Sequence, residues 1–164
     1  MASSDIILWV AAAYLGSVSL AISVVDARWL IIPNALNAAN AGGGLAFAAL
    51  DGSTSLSASL IGSVLGFAML LIFRASYRSI RGRDGLGLGD VKFMAGAGLW
   101  VGWHGLAPIL FVSSLSALLF LGLCRVFSGR FDPQHELPFG PFLCIGTSTV
   151  WAVQVAGVAP WIYP

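Results

Sequence analysis

The sequence predicts an all-α membrane protein, a polytopic bundle of about six transmembrane helices. Hydrophobic residues make up 58 % of the 164 residues and the mean hydropathy is +0.90, whereas roughly half of the residues of a soluble domain are apolar. The basic residues fall on alternate connections between the apolar segments. Because a span takes about 20 residues, the length leaves no room for a second, soluble domain. We therefore interpret residues 1–164 as a single membrane domain.

Six apolar segments, separated by polar or glycine- and proline-containing connections, define the spans. The first segment has no basic residues before it and is too long for the core of a signal peptide, so we interpret it as a transmembrane helix. The predicted spans cover about residues 6–25, 35–50, 56–73, 90–103, 106–124 and 141–159.

The placement of positive charge predicts the orientation of these spans. The connections after spans 1, 3 and 5 carry all the arginines, and Lys92 borders the second of these connections. Short cytoplasmic loops retain arginine and lysine, so we expect these three connections in the cytoplasm and both termini outside. The arginines are Arg28; Arg74, Arg78, Arg81 and Arg83; and Arg125 and Arg130. The six tryptophans fall mostly near span ends, which predicts an interfacial belt.

Charge and cysteine content exclude several classes of function. A net charge of +1 gives no reason to expect a nucleic-acid partner. Cys124 and Cys144 form no C-x-x-C pair and offer no zinc site of the usual spacing, so we expect reduced structural thiols. Membrane lipid is the partner that the composition itself implies.

The stretch from Gly85 to Lys92 carries the clearest functional signal. Alternating glycines lead into Asp90 and Lys92 at the start of span 4, and Asp26 closes span 1. Charged groups beside hydrocarbon are costly and therefore mark functional sites. The 14 residues from Asp90 to Trp103 form a helix only about 21 Å long, shorter than a hydrocarbon core of about 30 Å. We therefore expect Asp90 to lie below the membrane surface.

Two aspartates on one side of the membrane suggest acid-base chemistry. Carboxylates that converge on one water can take a proton from it and donate another to a carbonyl oxygen, as in aspartic proteases. Since like charges do not both ionise comfortably at close range, we expect the pair to share one proton. Helix dipoles favour an anion at a helix N-terminus, so our hypothesis makes Asp90 the base and Asp26 the acid. The residues alone also allow Asp90 as a helix N-cap and Asp26 as a partner of Arg28.

Polar and small residues predict how the spans pack. Asn34, Asn37 and Asn40 share one face of span 2, where they either hydrogen-bond to a neighbouring helix or line a polar cavity. The patterns Gly62-x-x-x-Gly66 and Gly98-x-x-x-Gly102 predict close helix contacts.

The stretch Gly85-x-Gly87-x-Gly89-Asp90-Val91-Lys92 resembles the G-x-G-D motif of type IV prepilin peptidases, which are intramembrane aspartic proteases. The aspartate before Ile32-Pro33-Asn34, the six spans and Pro138-Phe-Gly-Pro141 agree, so the resemblance covers nearly the whole chain. It implies that Asp26 and Asp90 are catalytic. The implied supporting residues of the motifs are Gly87, Gly89, Lys92, Pro33 and Asn34.

The resemblance also implies a substrate and a location. Members of that family cleave a short basic leader from prepilins or pilin-like proteins at the cytoplasmic face of the bacterial inner membrane, just before a hydrophobic helix. No metal and no other cofactor is implied. Candidate substrate contacts are the asparagines of span 2 and nearby acids that could meet a leader lysine. These residues are Asn37, Asn40, Asp84, Asp132 and Glu136.

One departure and one rival function accompany this interpretation. Larger relatives bear paired C-x-x-C cysteines and also N-methylate the new terminus. This chain has no such pair, so it resembles the short, peptidase-only members, and we do not expect methylation. The main alternative is a small proton-coupled transporter in which Asp26 and Asp90 form a proton relay. A non-catalytic membrane scaffold is a third interpretation, and the sequence predicts no oligomeric state.

Overall fold

The structure is a computed structural model that describes residues 2–51, 55–128 and 137–158. Over these ranges the chain forms six α-helices and no β-strand, which confirms the predicted all-α class. The helices are α1 (Ala2–Trp29), α2 (Asn34–Asp51), α3 (Leu56–Arg81), α4 (Leu88–Val101), α5 (Leu106–Ser128) and α6 (Gly140–Val155). A single turn of 3-10 helix, Trp103–Gly105, joins α4 to α5.

Three stretches within the described residues are long and apolar enough to cross a membrane by themselves. They are Asp5–Trp29, Leu56–Arg81 and Trp103–Phe127, which correspond to α1, α3 and α5. The other helices are shorter, with 18 residues in α2, 14 in α4 and 16 in α6. The chain is a polytopic helical membrane protein. The crossing of the three shorter helices and the outside placement of both termini stay predictions.

Helix α3 is longer than the predicted span. It continues past residue 73 to Arg81, so Arg74, Arg78 and Arg81 lie on a helix and the prediction of an arginine-rich loop at these positions is wrong. The sequence from Leu56 to Arg81 contains no proline. The helix ends only at Gly82, which adopts a left-handed φ of 68°, a conformation that glycine reaches without steric cost.

The ends of α1 and α4 place the two aspartates. Helix α1 runs to Trp29, so Asp26 lies in its last turn. Helix α4 begins at Leu88 with Gly87 at its N-cap, so Asp90 lies inside the first turn and the N-cap interpretation is wrong. Leu30 ends α1 with a left-handed φ of 55°, and its N–H donates to the backbone oxygen of Asp26, 2.8 Å away.

Helix α4 lies at the centre of the bundle. It packs against α2, α3 and α6, and ten of its 14 residues are buried. Its contact with α3 depends on glycine, because a Cβ on Gly62 would lie 2.6 Å from the backbone oxygen of Gly98. The predicted close contact through these small residues is confirmed.

The five tryptophans of the described residues divide between the surface and the core, and Trp161 lies outside those residues. Trp9, Trp29 and Trp103 are exposed, whereas Trp100 and Trp151 are buried and contact Phe47 in an aromatic cluster. The predicted interfacial belt is therefore wrong for Trp100 and Trp151. Burial of Trp100 is possible because its indole N–H donates to the backbone oxygen of Asn40, 3.0 Å away, and so is not left unpaired.

Candidate active site

Asp26 and Asp90 are buried at the same end of the bundle and face the same space. Their exposed fractions are 4 % and 8 %. Both line a cavity of about 750 Å³ and a neighbouring cavity of about 300 Å³. The hypothesis of an acid-base pair requires these carboxylates to lie near each other, and the structure places both on the same cavities although α1 and α4 are distant in the chain.

Asp90 is held by the glycine-rich turn that precedes it. One carboxylate oxygen, Oδ2, accepts a hydrogen bond from the backbone N–H of Gly87 at 3.2 Å. A Cβ on Gly87 would lie 3.1 Å from this oxygen, and one on Gly89 would lie 3.0 Å from the Cβ of Ile32. A Cβ on Gly85 would lie 2.5 Å from the ring of Tyr77. Each glycine of the motif therefore sits where a side chain would be crowded.

Asp26 is held by the start of the last helix. Its Oδ2 accepts a hydrogen bond from the backbone N–H of Gly140, the first residue of α6, at 2.8 Å. The next residue, Pro141, has no N–H to offer. A Cβ on Gly140 would lie 2.7 Å from the same carboxylate oxygen. Within the described part of the chain Asp26 makes no ion pair with the exposed Arg28, so that alternative is wrong.

These contacts remove the basis for assigning the acid and the base from helix dipoles. Asp26 lies at the C-terminus of α1 but also at the N-terminus of α6, where an anion is favoured. Asp90 lies at the N-terminus of α4. Both carboxylates therefore face a positive helix end, and the dipole argument no longer distinguishes them.

The two cavities differ in their walls. The larger lies between α3 and α5 and has a mixed lining, with Arg74 and Asp84 as charged residues beside the two aspartates. Its apolar lining includes Leu70, Phe73, Leu110 and Phe139. The smaller lies beside the α1–α2 connection and the first turn of α4, with Ile31, Ile32, Asn34 and Lys92 in its walls.

The other motif residues lie around the smaller cavity. The Lys92 ammonium donates to the side-chain oxygen of Asn34 at 2.7 Å, at an exposed position. Pro33 immediately precedes α2, and its carbonyl accepts hydrogen bonds from the N–H groups of Leu36 and Asn37. These residues join the starts of α2 and α4 beside Asp90.

Asn37 and Asn40 lie between α2 and α4, outside both cavities. The Asn37 amide donates to the backbone oxygen of Gly89 at 3.2 Å, and the Asn40 amide donates to that of Phe93 at 3.3 Å. Asn40 also accepts from Trp100. This geometry favours the interhelical hydrogen bonds over the polar cavity wall.

Of the acids predicted to meet substrate, Asp84 lines the larger cavity and pairs with Arg74. Asp132 and Glu136 lie outside the described residues. The sequence analysis treated Arg74 only as one of several charges that orient the protein in the membrane, and it missed its place in the cavity wall. It also missed the contact of Gly140 with Asp26. The motif around Gly140 was noticed, but no local pattern indicates its distant partner.

The arrangement is suited to acid-base chemistry on a polar bond. Two carboxylates on one cavity can orient a water and divide the roles of base and acid between them. No group of three or more histidine, cysteine, aspartate or glutamate side chains among the described residues is placed to hold a metal ion.

Comparison with known proteins identifies the family. A sequence profile described as the type IV leader peptidase family matches residues 13–122. The match covers more than half of the chain, so the chain belongs to this family. No solved structure matches it at a significant level.

Several curated relatives share the region. The prepilin leader peptidase/N-methyltransferase of Aeromonas hydrophila is 33 % identical over 135 residues, which are 82 % of this chain and 46 % of the relative. The protein of the same name from Burkholderia pseudomallei is 32 % identical over 127 residues, 77 % of this chain and 41 % of the relative. Leader peptidase HopD of Escherichia coli is 30 % identical over 133 residues, 80 % of this chain and 86 % of HopD. The chain thus spans slightly less than half of the first two relatives.

Proposed function

We propose that the chain is a membrane-embedded aspartic endopeptidase that removes the leader peptide from type IV prepilins or pilin-like proteins. The observation that carries the proposal is the convergence of Asp26 and Asp90, both buried, on the same two cavities. Membership of the type IV leader peptidase family supports the substrate class. The proposal covers the peptidase step alone.

In the proposed reaction the two carboxylates share one proton and hold a water between them. The ionised carboxylate takes a proton from the water as its oxygen attacks the scissile carbonyl, and the protonated carboxyl donates its proton to the carbonyl oxygen. The tetrahedral intermediate then breaks its C–N bond. Proton transfer leaves a carboxylate on the leader and an amine on the mature protein, so the only co-reactant consumed is water.

The shape of the site fits a substrate that is polar on one side of the cut and apolar on the other. The apolar residues that α3 and α5 contribute to the larger cavity, Leu70, Phe73 and Leu110, suit the hydrophobic helix that follows the cleavage site. The asparagine face of α2 is occupied by hydrogen bonds to α4. We therefore place the apolar part of the substrate against α3 and α5, and not against α2.

The proposed location of the site is the cytoplasmic face of the bacterial inner membrane. Helices α1, α3 and α5 each have arginine in the last turn. The C-terminal end of α1 carries Asp26 itself. Near the C-terminal end of α3, Arg74 lines the larger cavity together with both aspartates. Because arginine is retained on the cytoplasmic side, the charge pattern supports cleavage there. Reporter fusions after Arg83 and after Val158 test this, and the proposed orientation fails if the first reads as external.

Co-expression with a prepilin tests the function. Asp26→Ala and Asp90→Ala should each reduce leader removal at least about a hundredfold, since each removes one half of the acid-base pair. Asp5→Ala is the matched control, because Asp5 is an exposed acid on the same helix as Asp26. The proposal fails if either active-site variant inserts normally and processes the prepilin at the wild-type rate.

A further inference from the structure

Arg74 differs from the other arginines at the end of α3. Its side chain is 15 % exposed, whereas that of Arg78, one turn later, is 69 % exposed. Arg81 and Arg83 are exposed as well. Arg74 also lines the larger cavity together with Asp26 and Asp90. An arginine whose only role is to orient the helix in the membrane could remain exposed, as Arg78 does.

The guanidinium of Arg74 holds the turn that leads to Asp90. Nη1 donates to the backbone oxygen of Leu86, and Nη2 donates to a carboxylate oxygen of Asp84. Tyr77, on the next turn of α3, packs against Gly85, where a Cβ would collide with the ring. Three consecutive residues of the turn therefore rest on α3.

A single peptide group connects Arg74 to Asp90. The Leu86–Gly87 peptide accepts from Arg74 through its carbonyl oxygen, and it donates to Asp90 Oδ2 through its N–H, at 3.2 Å. Because a peptide unit is planar, fixing the direction of the carbonyl also fixes the direction of the N–H. A cation at the carbonyl end strengthens the hydrogen bond made by the N–H end.

We propose that Arg74 is the positioning residue for Asp90, and that it acts through the Leu86–Gly87 peptide. The catalytic consequence rests on the proposed peptidase function. Asp84 supports the guanidinium from the other side. Loss of Arg74 releases the peptide, so the Gly87 N–H no longer fixes the position of the Asp90 carboxylate.

Steady-state cleavage of a prepilin by the purified protein in detergent tests this role. In Arg74→Ala, kcat should fall about ten- to a hundredfold, the effect of losing one hydrogen bond made by a charged group, while KM stays within about threefold. Arg74→Lys should recover part of kcat, because an ammonium can still donate to the Leu86 oxygen. Arg78→Ala is the matched control: its exposed guanidinium lies 3.9 Å from Asp84, beyond hydrogen-bond distance, so the variant should keep the wild-type kcat.

Two kinetic outcomes overturn the proposal. If Arg74→Ala changes kcat no more than Arg78→Ala does, Arg74 does not position a catalytic group. If the loss lies in KM with kcat unchanged, Arg74 contacts the substrate and does not act through Asp90.

Amide hydrogen exchange separates this inference from the peptidase function. The Gly87 amide should exchange faster in Arg74→Ala than in the wild type or in Arg78→Ala, while the amides of Phe93 to Val101 in α4 stay protected and show that the bundle is folded. This measurement decides the role of Arg74 even if the wild type cleaves no prepilin. Unchanged exchange at Gly87 in Arg74→Ala overturns the proposal. Should Arg74→Ala not fold, Arg74→Lys and Asp84→Asn are measured in its place, and both should show intermediate exchange.

Discussion

Asp90 receives its backbone hydrogen bond from Gly87, three residues earlier, whereas Asp26 receives its bond from Gly140, which is 114 residues away. The support of Asp90 is therefore built into one turn and its contacts with α3. The support of Asp26 depends on the docking of α6 against α1. Assembly of the proposed site accordingly requires the last helix of the bundle as well as the G-x-G-D turn. A disturbance at the start of α6 should displace Asp26 before it displaces Asp90.

Among the variants that alter the support of the two aspartates, Gly140→Ala should have the largest effect. The new Cβ would lie 2.7 Å from Asp26 Oδ2, too close for contact, so the carboxylate must move away from its N–H donor. A displacement of about 1 Å at a catalytic group costs on the order of a hundredfold in rate, which prepilin cleavage would measure. Gly16→Ala on α1 is the control, because no atom lies within 4 Å of a Cβ there. Wild-type cleavage by Gly140→Ala would show that this contact does not position Asp26.

Gly87→Ala should have a smaller effect, about tenfold in the same assay. Its Cβ would lie 3.1 Å from Asp90 Oδ2, so a shift of a few tenths of an ångström relieves the contact. The backbone of Gly87, at φ −68° and ψ 146°, is one that alanine adopts readily. The ratio of the two losses tests the comparison directly. If Gly87→Ala is the more damaging change, the local support of Asp90 is the more critical of the two.

The sequence predicts contacts within one turn better than contacts between distant parts of the chain, and the supports of the two aspartates show this difference. The fold class and both aspartates were predictable, because apolar content, arginine placement and a carboxylate beside hydrocarbon are each visible in a short stretch of chain. The glycine before Asp90 was also visible, since it lies in the same turn. The role of Gly140 was not, because it arises from a contact between two ends of the chain.

Arg74 and the asparagines show the same limit. Four arginines lie close together in the sequence, and only the direction in which α3 presents Arg74 distinguishes it from Arg78. The shared face of Asn37 and Asn40 was predictable from helical spacing, but the partner of that face was not. Helix spacing fixes which residues point the same way, and tertiary packing decides what they meet.

Asn40→Ala tests the attachment of α4, the helix that carries Asp90, to α2. The change removes the hydrogen bond to the Phe93 oxygen and one of the two that Trp100 makes to residue 40. Hydrogen bonds between membrane helices contribute about 1 kcal/mol, so the free energy of unfolding in detergent should fall by about that amount. Asn34→Ala, at an exposed hydrogen bond, is the control and should change it less. If both variants lose the same free energy of unfolding, the buried hydrogen bonds of Asn40 stabilise the fold no more than the exposed one of Asn34.

The smallest effect is expected on the stability of the turn that follows Asp26, which differs from the turn that precedes Asp90. The turn before Asp90 uses glycine, whereas the turn after Asp26 places Leu30 at a left-handed φ of 55°, where a Cβ is strained. Leu30→Gly and Leu30→Ala both remove the half-exposed side chain, but only alanine keeps the strain. Glycine avoids the left-handed penalty of about 1 to 2 kcal/mol but loses about 0.5 to 1 kcal/mol more chain entropy on folding. The free energy of unfolding of the glycine variant should therefore be about 0.5 to 1 kcal/mol higher than that of the alanine variant. At Gly16, inside α1, the alanine variant should be the more stable by a similar amount, because alanine favours the helix interior. If the alanine variant at residue 30 were instead the more stable, α1 would not end in the left-handed conformation. Because the Leu30 N–H donates to the backbone oxygen of Asp26, the backbone that places Asp26 would then have to be different.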